Sequence, residues 1–218
     1  MSMTSDCTVA PRTEPIMSAP TAPAPVPDWR GHLPVLQAGK ATLRELEISD
    51  AASLFESLTR EEVTRFISPP PATIDGFERF IAWTRHEQSH GRYVCYGIVP
   101  EGEERVVGII QVRQLDSSFA TAEWGFALGA DYWGTGLFHE SALAVIGFAF
   151  EQIGVHRLEA RAAVANGRGN AALRKLGATP EGVLRRSFLR YGEYLDQVIW
   201  GLVATDWVYF QPGAGQVH

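Results

Sequence analysis

Ala122-Glu-Trp-Gly-Phe-Ala-Leu128, then Gly129-Ala-Asp-Tyr-Trp-Gly-Thr-Gly136, then the apolar run opening at Leu137 read as strand, glycine-bearing turn and helix. Trp124, Phe126 and Leu128 alternate along the first stretch and so share one strand face. Phe138, Ala142, Val145, Ala149 and Ile153 recur at helical spacing up to a stop at Gly154. Val155–Val164 is a second apolar strand. Strand, helix and strand in that order predict a parallel, right-handed crossover at the centre of a sheet.

Working outward, a short helix over Asn170–Leu176 is stopped by Gly177. Val183–Leu189 and Tyr194–Val203 flank the turn Arg190-Tyr-Gly-Glu193 as a closing hairpin. Upstream, Ala41–Ile48 is a first strand and Asp50 is placed to cap a helix over Ala51–Leu58. Pro69-Pro-Pro71 breaks the chain. Thr73 opens a second helix with Phe77, Phe80, Ile81 and Trp83 on one side, and Gly91 ends it. Tyr93–Val99 and Val106–Leu115 are consecutive strands. The expected fold is α/β (α+β): a mixed, mostly antiparallel sheet of about seven strands with helices on both faces.

Residues 1–28 carry Pro11, Pro15, Pro20, Pro23, Pro25 and Pro27 and read as a disordered Pro/Ala-rich tail. One domain is expected over 29–210, and 211–218 as a flexible end. The chain has 218 residues, 45% of them hydrophobic, enough for a core. Its formal charge of −6 argues against nucleic acid, which needs a basic face. No apolar run is long enough for a membrane span and no secretory signal opens the chain, so a cytoplasmic protein is expected. Cys7 and Cys95 form no metal spacing and are expected as reduced thiols. No metal site is expected from the six histidines.

Trp133-Gly-Thr-Gly-Leu-Phe138 carries the chemistry. Glycines ahead of a helix let a ligand approach the backbone, and the first helical turn leaves amide protons unpaired. Such a turn can hold phosphate or pyrophosphate, or can be a tight turn and nothing more. It is not a P-loop, because no Lys-Ser or Lys-Thr follows. It is not a dinucleotide fingerprint either, because the third glycine is missing and the turn comes late in the chain.

Six runs over Ala122–Trp207 together resemble the GNAT superfamily of acyl-CoA-dependent N-acyltransferases. They are Glu123–Leu128, Tyr132–Gly136, His156–Arg161 with Asn166, Ala172–Gly177, Glu181–Arg185 and Gly192–Asp196. The branch that includes the ribosomal-protein N-terminal alanine and serine acetyltransferases is the most similar. The resemblance implies a sheet splayed between its fourth and fifth strands, with acetyl-CoA in the split as co-substrate and no metal. It implies that the edges of Phe126, Ala127 and Leu128 pair with pantetheine. Amides over Trp133, Gly134, Thr135, Gly136, Leu137 and Phe138 would hold the pyrophosphate. Asn166 would bond the pantetheine arm, unless it caps a helix. Asn170 and Lys175 would reach the arm or the nucleotide, Lys175 having a solvated helix charge as its alternative. The amide of Ala127 or Leu128 would face the developing oxyanion.

Acyl transfer to an amine also wants a base. Glu123 is the first candidate and Glu159 the second, each with an arginine ion pair as its alternative. Tyr194 is a candidate for protonating the departing thiolate, with packing as its alternative. Arg185, Arg186 and Arg190 form a basic cluster or a solvated strand face. Two positions depart from the family pattern: Phe138 where Ala or Gly is usual, so that its ring must turn into the core, and Gly169 where this branch carries serine. The implied function is acetyl transfer to a primary amine, a protein N-terminus or a small molecule, and the net negative charge favours a cationic one. The alternative is an acyl-CoA-binding module without catalysis. Exposed strand edges admit a homodimer.

Overall fold

The computed structural model describes residues 28–207. The expectations for the N-terminal tail up to residue 27, for Cys7 and for the C-terminal end from 208 lie outside the described residues.

Eight strands form one sheet: β1 (Leu36–Ala38), β2 (Ala41–Glu45), β3 (Tyr93–Pro100), β4 (Gly108–Gln114), β5 (Thr121–Leu128), β6 (Arg157–Ala163), β7 (Thr179–Arg190) and β8 (Glu193–Val203). Their spatial order is β1-β2-β3-β4-β5-β6-β8-β7. Only β5 and β6 run parallel; the other neighbours are antiparallel. The sequence reading expects about seven strands. The additional one is β1, three residues long, folded back on β2 through Gly39 at φ +54°. A run that short carries no period to read.

The helices are α1 (Ala51–Leu58), α2 (Glu61–Thr64), α3 (Ile74–Ser89), α4 (Leu137–Phe148), α5 (Gly167–Lys175) and α6 (Ala204–Trp207). A π-helical turn over Ala149–Ile153 finishes α4, and Gly154 at φ +85° releases the chain into β6. Helix α4 packs with Trp124, Leu128, Val94 and Ile110 in the larger core. Helices α1 and α3 cover the other face, where Leu54, Leu58, Phe77 and Ile81 meet Tyr93, Cys95 and Ile109. Thr73 caps α3 by accepting from the Gly76 amide at 3.0 Å. The capping expected of Asp50 is corrected. Its buried carboxylate takes the Arg44 guanidinium at 2.7 and 2.8 Å and the Glu47 amide at 2.8 Å, with nothing left for α1.

Pairing between β5 and β6 is confined to Thr121–Glu123 against Arg157–Glu159. From Trp124 to Leu128 the strand has β4 on one side and an open edge on the other. That unpaired stretch is about 16 Å long at the rise of a strand. The expected split between the fourth and fifth predicted strands is this β5/β6 gap.

The turn that launches β5 is tied by Asp116, which accepts from the amides of Thr121 (2.7 Å), Ser118 (2.9 Å) and Ala120 (3.3 Å) and from the Ser118 hydroxyl. The Ser118 hydroxyl and these amides hold the carboxyl down at about 2, from an ordinary 3.8. A lowered carboxyl stabilises the fold fully above its unfolded value and loses that contribution as pH falls toward its folded value. Between pH 4 and pH 2 the wild type is therefore expected to lose more stability than Asp116→Asn, measured by urea unfolding across that window.

Candidate active site

The gap widens into two cavities with a common wall. One, of about 520 Å³, opens beside the glycine loop and is lined by Phe126, Ala127, Leu128, Trp133, Gly134, Gly136 and Phe138 among others. The other, of about 660 Å³, lies on the α1/α3 face, over Gln111, Arg113, Glu123 and Gly125. Phe66, Ile67, Phe126, Ala127, Asn166 and Gly169 line both. A ligand threaded between β5 and β6 would thus reach from one face of the sheet to the other.

Strand alternation decides which main-chain groups face the gap. Gly129 donates to Val107 at 2.8 Å, so residues 127 and 125 point at β4, while Phe126 and Leu128 turn their main chain toward the gap. The expectation of an open Ala127 edge is corrected on this point: its amide belongs to the β4 ladder, and only its side-chain surface lines the cavities. The Leu128 carbonyl accepts from the Trp133 indole at 2.9 Å, leaving the Leu128 amide and both Phe126 main-chain groups toward the opening.

In the loop, Gly134 and Gly136 take φ +78° and +90°, and a Cβ built on either meets nothing within 4 Å. The Trp133 amide is used by Ala130 (3.1 Å) and the Leu137 amide by the Thr135 hydroxyl (3.3 Å), which itself donates to Tyr132 at 2.8 Å. Those two therefore drop out of the expected amide set. The N–H groups of Gly134, Thr135, Gly136, Phe138 and His139 have no acceptor among the described residues. Five donors converging at the mouth of a helix make a strong anion cradle.

Cations surround that mouth. Arg168, in the first turn of α5, lies 3.6 Å from the centre of the Trp133 ring and so bridges the two sides of the opening. Arg65 and Lys175 line the same cavity, with Glu62 the one carboxylate in its lining. Burial and the Lys175 ammonium hold the His139 imidazole below its ordinary value, against the pull of Glu140. Phe138 lies beside Phe126 with ring centres 4.2 Å apart and ring planes tilted by 38°. Phe138 packs against the larger core without being buried in it. Its half-buried ring becomes a wall of the gap.

Asn166 caps α5 by accepting from Gly169 at 2.9 Å, which leaves its amide NH2 at the junction of the two cavities. A Cβ on residue 169 would come within 2.5 Å of that NH2, so glycine is the residue that lets Asn166 fold over the helix start. Asn170 is a correction. Its NH2 donates to Ala163 and Asn166 at 2.9 and 2.8 Å, and its oxygen accepts from the Trp200 indole at 3.0 Å. Asn170→Ala should destabilise the protein by about 1–3 kcal/mol, because it orphans the buried Trp200 indole and removes two further hydrogen bonds to carbonyls that keep backbone donors. Chemical unfolding and calorimetry with CoA should find that loss together with unchanged CoA affinity of the folded fraction.

Of the acid–base candidates, Glu123 lines the second cavity, bonded to Arg113 and 3.8 Å from Arg161. Glu159 is held by Arg157 at 3.0 Å, and Arg157 in turn clamps Glu181. Tyr194 is 57% exposed on the hairpin under Arg186. Glu159 stands opposite Glu123 in the β5–β6 register, yet neither it nor Tyr194 lines either cavity. Arg190 is no part of a free basic cluster, for it donates to the Thr64 carbonyl at 3.0 and 2.8 Å. The Tyr191 hydroxyl reaches the Thr64 hydroxyl at 3.2 Å, so the tip of the β7–β8 hairpin grips the last residue of α2, just ahead of Phe66 and Ile67, which roof both cavities. Sequence reasoning missed Arg168, Gln111, Arg113, Arg161 and this roof. The one signal for Arg168 was a charge inside the glycine-rich helix start Asn166-Gly-Arg-Gly169. Among the described residues no group of three or more His, Cys, Asp or Glu could hold a metal, and no helix is long and apolar enough to cross a membrane.

Residues 40–179 match the acetyltransferase (GNAT) domain family. The uncharacterized N-acetyltransferase p20 of Bacillus licheniformis is 25% identical over 173 residues, which is 79% of this chain and 97% of that protein. The ribosomal protein uS5-alanine N-acetyltransferase of Escherichia coli is 27% identical over 123 residues, 56% of this chain and 62% of that enzyme. Mycobacterium smegmatis RimJ in complex with CoA-disulfide superposes with a TM-score of 0.71 at 20% identity, covering 79% of this chain and 87% of RimJ, a likeness of fold.

Proposed function

Since this chain belongs to the GNAT family of acetyltransferases, whose co-substrate is acetyl-CoA, we propose that it acetylates a primary amine through the β5/β6 gap. The observation that carries this reading is the coincidence of a five-residue unpaired strand edge with five acceptorless amides at the next helix. The pyrophosphate of CoA would sit on the amides of Gly134, Thr135, Gly136, Phe138 and His139, with Arg65, Arg168 and Lys175 around it. Open space above both loop glycines supports that fit. Pantetheine would run along the main chain of Phe126 and Leu128, with the Asn166 NH2 as a further donor.

Acetyl-CoA supplies an activated thioester, so the protein's task is to bring the amine in line with it and accommodate the charges that move. The amine nitrogen bonds to the acyl carbon as the carbon–sulfur bond breaks, and the thiolate leaves with CoA. The Leu128 amide, free and facing the gap, is the donor for the developing oxyanion. Glu123, on the same face as Gly125 but about 10 Å or more along β5 from the reacting edge, takes up the amine's proton through a chain of waters in the second cavity. Glu159 and Tyr194 have no part in this account, since neither lines the channel.

The acceptor proposed is the amine of a protein or peptide N-terminus, approaching over Gly125 from the second cavity. The E. coli relative is named for acting on such an amine, an alanine of ribosomal protein uS5. The test is a panel of peptides with free N-termini, scored for acetylated product by mass spectrometry and for CoA release in equal amount. Saturable CoA binding with no product from any amine would favour the alternative, a binding module without catalysis, to which the absence of a serine at Gly169 points.

A further inference from the structure

We propose that the acceptor is a peptide N-terminus with apolar leading residues followed by an acidic residue, read by Arg161 and Arg113. This rests on the transferase reading above and names its substrate class.

The chain is acidic overall, which by itself favours a cationic acceptor. The field at the site is set by nearer groups, since charges beyond about 8–10 Å are screened in salt. Around the second cavity the charged lining residues are Arg113, Glu123 and Arg161: two cations against one anion. Glu123 is the least exposed of the three, at 23%, and lies between both guanidiniums. Arg161 approaches it only through Nε, at 3.8 Å, and its Nη groups have no acceptor among the described residues. Arg113 is half exposed. The cleft therefore offers guanidinium donors and no unpartnered carboxylate. The nearby Arg157, Glu159 and Glu181 are closed on one another and line neither cavity. A basic peptide or a polyamine would find no counter-charge here, whereas a carboxylate would meet a planar fork suited to it.

The rest of the wall is apolar: Pro69, Pro70 and Pro71 with Phe80, Trp83 and Phe188. Trp83 is 46% exposed, an aromatic face open to a ligand. These surfaces suit apolar side chains flanking the amine. Spacing sets the register. Glu123 and its arginines lie on the order of 10–17 Å along β5 from the Phe126 and Leu128 edge, the length of about three to five extended residues. The acidic group thus belongs at about the third or fourth residue, which a free amino acid cannot supply.

The test uses three peptides, Ala-Phe-Asp-Asp-Gly, Ala-Phe-Asn-Asn-Gly and Ala-Phe-Lys-Lys-Gly, with free phenylalanine amide as the small-molecule arm. Binding to the CoA-saturated protein is measured by calorimetry, and transfer from acetyl-CoA is measured in parallel. The acidic peptide should bind about tenfold tighter than the neutral one and the basic peptide weakest, with most of the acidic advantage lost at high salt. Arg161→Gln should bring the acidic peptide close to the neutral one, and Arg161→Lys should restore part of the gap. If the glutamine variant does not fold, the wild-type ranking and its salt dependence decide. Equal affinities, or a preference for the basic peptide or for the small amide, overturn the inference. Preferential binding of the acidic peptide without transfer keeps the inference and defeats the catalytic reading instead.

Discussion

Valine in place of Gly136 is expected to abolish acetyl-CoA binding at concentrations that saturate the wild type, while the sheet stays folded. Gly136 sits at the N-terminal boundary of α4 with φ +90°, and a Cβ there meets no protein atom within 4 Å. The fold would register only a left-handed backbone strain of about 1–2 kcal/mol. The ligand would register far more, because the branched side chain enters the space over the unpaired amides. Removing two charge-assisted contacts of about 1.5 kcal/mol each corresponds to at least a hundredfold in affinity. Calorimetry with CoA, beside thermal unfolding of the same sample, separates the two effects. Unchanged affinity would mean the diphosphate lies elsewhere.

The second large effect is expected at Glu123. Glu123→Gln keeps the size of the side chain and its place between Arg113 and Arg161, but cannot take up a proton. Loss of a positioned base lowers kcat/KM by about a hundredfold or more, with acetyl-CoA affinity held within about twofold. A pH profile distinguishes this from a packing defect. As pH rises past about 8, an N-terminal amine is increasingly neutral without help, so the variant should recover relative to wild type. A deficit that is constant across pH would make Glu123 a partner for its arginines and not a base.

Much of this fold can be read from residues that act locally. The span Ala51–Leu58 is a helix because its apolar residues have the right period. Gly91, Gly154 and Gly177 end helices because each takes a positive φ of +69°, +85° and +84°. The glycine loop was legible for the same reason: its conformation is written in Gly134 and Gly136. What escaped reading depends on partners far away in the chain. Asn170 looks like a ligand-binding residue until Trp200 is brought against it. An arginine partner for Glu123 is open in the sequence, but only cross-strand register names it as Arg113. The roof over the cavities, held by Arg190 and Tyr191 through Thr64, joins segments more than a hundred residues apart. The charge preference proposed for the acceptor rests on three side chains lining one cleft, a grouping that the sum over the chain does not reveal.

Amide hydrogen exchange with and without saturating CoA addresses the β5/β6 gap most directly. Ligand should slow exchange in peptides covering 126–128 and 134–139, where main-chain donors face the opening without partners, and around 166–169, leaving the paired strands β2 to β4 unchanged. Bound CoA with no slowing in those segments, or with slowing confined to another face, would contradict the assignment of the gap as the acetyl-CoA site.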